Sequence, residues 1–427
     1  MTNVRIIMQS KENYLSVPKV ARLGDGSLVM LFTKEFFGPP HDDIRPPEGE
    51  LAVHKPFLTR SRDEGRTWST PQELPEEVEG IPVTAGWKLV DGRDEVVWFG
   101  KAPCGPDSPR GPDGQPAESW LRMMRARPEG DGVRLERPVS IAPMPDRLHV
   151  TAGLRAGDGS LYVMYGLTRG TAVLNVLRDR AEGQQCAICI RRSLDGGRSW
   201  GPEIVADPAH LGGEKSYFNL FESRDGIGMI WTEARGVGDA RLNPTWGGPQ
   251  PLIRWSEDFG QSWGQRRAIL PFRDAQGWRC PYVKVQDCTA MGKGVGSDLM
   301  CYARVCDSKV AGHPVFFGFC RSAVAVARSY DSGATWTDQE AIDLEGGGGD
   351  WGLPYLLAHL YRENRILDDV HRLRLGEAHA YGQMLNTGEK VLIVYTGQTA
   401  LGEMDDELKV IKMAEVDYYP PRRQISP

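Results

Sequence analysis

The chain has 427 residues, 40% hydrophobic and 25% charged, and its 57 acidic and 51 basic side chains leave a formal net charge of −6. That balance excludes an overall electrostatic draw to nucleic acid or to an anionic membrane, and no apolar run approaches the ~18 residues of a membrane-spanning helix. The eight cysteines show no disulfide-framework spacing, and the start Met1-Thr-Asn-Val-Arg-Ile-Ile-Met-Gln lacks an apolar signal core and a small-residue cleavage site. The expected location is cytoplasmic, although a secreted chain trimmed of its leader would read the same.

In chain order, an opening strand over residues 3–9 is followed by six similar units. Each reads apolar strand, tight turn, apolar strand. The units span 17–32 with Asp25-Gly26, 83–99 with Asp91-Gly92, 149–165 with Asp158-Gly159, and 217–231 with Asp225-Gly226. Two weaker copies follow, at 283–305 with Met291-Gly-Lys-Gly and at 379–395 with Gly388. A second motif, Ser-x-Asp-x-Gly-x-Ser/Thr-Trp, follows four of them: Ser61 to Trp68, Ser193 to Trp200, Ser256 to Trp263 and Ser329 to Trp336. The first gap between its Asp residues (Asp63, Asp195, Asp258, Asp331) is about twice the others. One copy is therefore degenerate, and it falls near Arg127-Pro-Glu-Gly130-Asp131-Gly132.

The motif is a turn. Its Asp accepts bonds from amides of its own loop, Gly supplies positive φ, and Trp drops between neighbouring sheets. Its role is to fold the chain, and each of Trp68, Trp200, Trp263 and Trp336 is expected to be largely buried. Hairpins recurring every ~66 residues mean an all-β propeller of four-stranded antiparallel blades. Six blades fit, at about 13–76, 80–142, 147–208, 214–272, 281–345 and 373–420, within a single domain over residues 1–427. The opening strand can complete the last blade. Residues 354–371 have helical spacing and predict a short helical insertion before blade six.

The four turn motifs resemble the Asp-boxes, or BNR repeats, of the sialidase (neuraminidase) superfamily. That resemblance implies the sialidase propeller over nearly the whole chain. It also directs attention to the family's catalytic positions. The Arg-Ile-Pro that opens blade one in sialidases, with an Arg for the substrate carboxylate, corresponds here to Ser16-Val17-Pro18. The Glu position of blade four falls on Tyr217, with Glu214 three residues earlier, and the Tyr position of blade six falls on His379, with Tyr381 two residues later. The acid/base loop of blade one, between Phe37 and Val53, holds His41, Asp42, Asp43, Glu48 and Glu50. By these residues the chain departs from a standard sialidase.

In such blades the start of the first strand and the end of the second share the mouth of the central funnel. First-strand starts supply Lys19, His149, Thr151, Tyr217, Asn219, Lys284, Asp287, His379 and Tyr381; second-strand ends supply Lys34, Glu35, Lys101, Arg169, Glu233, Arg235 and Arg304. Five blades thus bring a cation to what the pattern suggests is one height, a basic funnel for an anionic sugar. Each Lys or Arg also has the plainer reading of a solvated rim charge, and His149 and His379 that of satisfied interior side chains. Cys186 and Cys189, three apart on a strand, point to opposite faces and do not make a metal pair. Trp87, Trp231 and Trp246 are better wedges between blades than sugar platforms. No cofactor or metal is expected, because the histidines at 41, 54, 149, 210, 313, 359, 371 and 379 show no ligand spacing.

Three functions fit this pattern. An exo-acting glycoside hydrolase on an acidic sugar would use Tyr217 or Tyr381 as nucleophile. A carboxylate such as Glu214, Glu233 or Glu377 would activate it, and Glu35, Asp42, Asp43 or Glu50 would serve as acid. A uronate lyase would use His149, Tyr217 and Arg235 for β-elimination. A non-catalytic glycan-binding propeller would lack clustered titratable groups at its mouth. In each case the partner is a carbohydrate, with Arg235, Arg169, Arg304, Lys19, Lys34, Lys284 and Asn219 as binding residues.

Overall fold

A computed structural model describes residues 3–10, 14–36, 53–83, 86, 88–92, 94–103, 119–130, 132–144, 147–169, 185–208, 213–235, 250–269, 283–292, 297–306, 322–344, 382–398 and 409–419. These form six antiparallel blades arranged as a propeller. Blade one runs Tyr14–Arg22, Leu28–Phe36, Val53–Ser61 and Gln72–Glu73 from the axis outward. Blades three, four and five repeat that order, with inner strands Arg147–Arg155, Gly213–Ser223 and Val283–Ala290. In blade six the outermost strand is Asn3–Gln9, paired with Lys409–Asp417, so the chain's first strand closes the ring as the sequence pattern predicts. The predicted helix at 354–371 lies outside the described residues, as do Trp87 and Trp246. Among the described residues no helix is long and apolar enough to cross a membrane.

The Ser-x-Asp-x-Gly-x-Ser/Thr-Trp segments are turns between third and fourth strands. In the first, the Ser61 hydroxyl donates to Asp63 at 2.8 Å, and Asp63 accepts from the Thr67 amide at 2.8 Å and the Thr67 hydroxyl at 2.6 Å. Asp195, Asp258 and Asp331 hold the same bonds. These donors hold the Asp258 carboxyl down to about 2. Glycine is required in the turn: Gly197 has φ +88°, and a Cβ there would stand 2.6 Å from the Met123 side chain. Trp336 is buried, while Trp68, Trp200 and Trp263 are half-buried against the clusters between blades. The wedge reading therefore holds with partial exposure of three rings. Trp231, by contrast, is fully buried in the core between blades three and four.

Blade two departs from the pattern. Its degenerate turn sits where expected, with Glu129 opposite Gly132 across the third and fourth strands. Its sequence, Arg127-Pro-Glu-Gly-Asp-Gly132, has no serine to open the motif. Instead the Gly130 carbonyl accepts from Arg60 at 2.9 Å and from Arg62 at 3.0 Å, tying it to blade one. The strand Val139–Met144 adds a further edge on Ser119–Glu129. Apolar clusters fill the gaps between neighbouring blades, as with Leu31, Trp98 and Met124 between blades one and two. The alternation of side chains along each strand sends one set to the preceding blade and the other to the following one.

Candidate functional site

Four inner strands slip register at or just before their midpoints. The shift lies between Ser16 and Lys19 in blade one, Leu148 and Thr151 in blade three, Ser216 and Asn219 in blade four, and Val285 and Asp287 in blade five. These are β-bulges, which re-aim side chains and recur beside binding sites. His149 and Tyr217 each lie inside one. Val17 lies in the blade-one bulge with φ 52°, a left-handed conformation that a β-branched residue adopts only under constraint.

Directly beyond the bulges a polar ring fills the axis. Lys19 pairs with Leu31, Asn219 with Ile230, Asp287 with Tyr302 and Gln383 with Val394, and these are equivalent places in their blades. Continuing the register of Leu89 opposite Trp98 gives Lys88 the same place in blade two, and Ala152 holds it in blade three. Five of the six ring positions are thus polar. Lys19 is 3%, Asn219 4%, Asp287 1% and Gln383 4% exposed.

Hydrogen bonds join these residues across the axis. Lys88 Nζ, in blade two, donates to Asn219 Oδ1 and to the Leu220 carbonyl at 2.9 Å, both in blade four, and lies 3.4 Å from Asp287 in blade five. Asn219 Nδ2 donates to Asp287 Oδ1. Asp287 also accepts from the Cys288 amide at 2.7 Å and the Met384 amide at 2.8 Å. Gln383 bonds both the amide and carbonyl of Leu89, at 3.0 and 2.9 Å. Lys19 Nζ donates to the Gly382 carbonyl at 3.1 Å. Burial, more than its Lys88 neighbour, brings the Lys19 ammonium down to about 7, against the pull of Asp287. Burial also pushes the Asp287 carboxyl up, against the pull of Lys88 and its amide donors.

The mouth lies above this floor. Register puts Lys215 opposite Glu233, Gly213 opposite Arg235, Lys284 opposite Arg304 and Gln185 opposite Arg169. Lys34, opposite Leu15, stands over the Phe57 ring at 4.4 Å. The second-strand cations do not share one height, which corrects the sequence expectation. Counted from the residue paired with the third-strand turn, Lys101 and Arg304 come first, Lys34 one residue farther, and Arg169 and Arg235 at the lip. Asp42, Glu50, His379 and Tyr381 lie outside the described residues.

Of the predicted residues, Lys19, Asn219 and Asp287 enter the ring; His149, Tyr217, Glu233, Arg235, Arg169, Arg304, Lys284 and Lys34 belong to its mouth side. Lys88 and Gln383 are functional candidates that the sequence reading missed. A usable signal existed: Lys19, Ala152 and Asn219 each stand six residues before the turn residues Asp25, Asp158 and Asp225, and Lys88 stands six before Asp94. Among the described residues no group of His, Cys, Asp or Glu converges as a metal set.

No protein-family model and no curated protein sequence matches the chain. Solved structures do. A protein of unknown function from Dyadobacter fermentans is similar over 97% of this chain and 99% of its own, with 13% identity and a TM-score of 0.57. A Trypanosoma rangeli sialidase mutant displaying trans-sialidase activity is similar over 97% of this chain, with 10% identity and a TM-score of 0.54. A Hadza microbial sialidase covers 93% of this chain at 15% identity and a TM-score of 0.50. The chain spans 58% of the length of the first of these sialidases and 65% of the second. At such identities the likeness is one of fold: the chain is a sialidase-like six-bladed propeller.

Proposed function

We propose that the chain is a carbohydrate-active enzyme, an exo-acting glycoside hydrolase whose substrate is an acidic sugar. The observation that carries this reading is the bulged mouth end of the inner strands, with Tyr217 in the bulge of blade four above a buried, cation-bearing ring. Tyr217 is the nucleophile, a role a phenol fulfils once a neighbouring carboxylate draws its proton; Glu233, on the adjacent strand of the same blade, is the candidate. A tyrosine suits an anionic substrate, because its phenol stays neutral until its proton is drawn off during attack, whereas an Asp or Glu nucleophile would face the substrate's acid as a standing charge. The general acid comes from the blade-one loop that contains Asp42 and Glu50. Arg235, Arg304, Arg169 and Lys284 hold the acidic group, the arginines through paired donors.

A second reading is β-elimination on a uronate, with Tyr217 or His149 taking the C5 proton and Arg235 neutralising the carboxylate. It is favoured by the Ser16-Val17-Pro18 bulge, which puts no arginine where sialidases bind their carboxylate, and by His149 and Tyr217 lying in bulges of adjacent blades. Product analysis separates the two. Hydrolysis of sialosides or glucuronides releases the saturated free sugar; elimination yields an unsaturated uronate that absorbs in the ultraviolet. Binding of the same glycans without either product would leave a glycan-binding propeller.

A further inference from the structure

Among the described residues the axis ring carries more positive than negative charge. At ring level two ammonium groups, Lys19 and Lys88, face one carboxylate, Asp287. Asp287 is already engaged by Lys88, by Asn219 and by two backbone amides. Lys88 has three acceptors. Lys19, among the described residues, has one neutral carbonyl, that of Gly382. The remaining ring neighbours, Asn219 and Gln383, are neutral, and Asp91, on the turn side of blade two, is set among Lys88, Arg155 and Arg22. A buried cation without its own anion is costly, and this one stands one step below the bulged mouth.

We propose that Lys19 is the counter-charge for the acidic group of the ligand, and that an anionic sugar entering the mouth binds together with a proton taken up by Lys19. The idea rests on the acidic-sugar reading above and adds, beneath the mouth arginines, the buried cation that the acid's charge reaches. Lys19 is almost wholly removed from water, so an anion arriving nearby is felt more strongly than it would be in bulk solvent. Part of the Lys19 population is neutral near pH 7, so the ligand's charge shifts that population to the ammonium form. Affinity for the acid then falls as pH rises through and above neutrality, while affinity for the neutral ester of the same sugar does not.

The test is calorimetric titration of the full chain with sialic acid and glucuronate, and with their methyl esters, in two buffers of different ionisation enthalpy at a pH just above neutrality. The wild type is expected to take up a fraction of a proton with the acids and none with the esters. Lys19→Met should abolish the uptake and weaken acid binding at least ~10-fold, leaving ester binding unchanged. Lys19→Arg, permanently charged, should restore acid binding without uptake. Uptake that persists in Lys19→Met, or acid binding equal to wild type in that variant, overturns the proposal. So does a wild type that binds the esters but not the acids. The hydrolase reading fails separately: acids bound with Lys19-dependent uptake but never released from a glycoside would remove that reading and leave this one standing.

Discussion

Replacing Lys19 by Met tests the electrostatics of the axis through stability alone. The Lys19 ammonium has an ordinary value of 10.5 and is brought down to about 7 in the fold. A lysine lowered in this way binds fewer protons folded than unfolded between those two values, so its contribution makes the protein more stable as pH rises through that window. Below about pH 7 the group is charged in both states and the fold bears the whole cost. Because each tenfold loss of proton affinity on folding is worth ~1.4 kcal/mol, that cost is about 4–5 kcal/mol at about pH 6 and under about 1 kcal/mol at about pH 10. Methionine fills similar volume without charge and forfeits only the bond to Gly382, worth ~1 kcal/mol. The variant should therefore be more stable than wild type by about 3 kcal/mol at the lower pH and close to it at the higher. Urea denaturation of both proteins across that range reads the difference directly. A difference that stays constant with pH would refute the claim that Lys19 is an under-compensated buried cation.

Two further outcomes follow from the packing. Asp287→Ala removes the acceptor that joins blades two, four, five and six, and strands the Met384 and Cys288 amides. It should cost about 3–5 kcal/mol in chemical denaturation, and a cost under about 1 kcal/mol would show that the ring does not fasten the axis. Trp200 packs edge-on against Phe99, with ring centroids 5.6 Å apart, across blades two and three. Trp200→Ala should cost about 3 kcal/mol by the same measurement, and an unchanged midpoint would remove the wedge role.

The propeller is legible in the sequence because its signals are local. The Asp–Gly hairpins and the Ser-x-Asp turns satisfy their own hydrogen bonds, so their residue types recur wherever the turn recurs. Blade closure by Asn3–Gln9 was readable for a similar reason, since an apolar strand at the start has one open edge to join. The axis ring was only half legible. Lys19 and Asn219 could be counted back from an Asp–Gly turn and Asp287 from its strand start, but Lys88 precedes the irregular 91–95 turn and Gln383 precedes Thr387-Gly388, which has no Asp to count from. Their partners lie across the axis on non-adjacent blades, a relation no periodicity encodes. The bulges that hold His149 and Tyr217 were invisible for a different reason: a bulge is a mismatch between two paired strands, and neither strand's composition records it. The stagger of the second-strand cations reflects how far each stands along its own strand from the hairpin turn, a count that strand ends alone do not supply.

The central claim is that the mouth cleaves an acidic glycoside with Tyr217 as the attacking group. Turnover of sialosides and glucuronides by the wild type and by Tyr217→Phe, with free sugar and ultraviolet absorbance followed in one reaction, tests it most directly. The wild type should release the saturated acidic sugar with no rise in absorbance. Tyr217→Phe should be slower by about 10²–10⁴-fold at an unchanged denaturation midpoint. Undiminished turnover in Tyr217→Phe, an ultraviolet-absorbing product, or no cleavage of either substrate class would contradict the account.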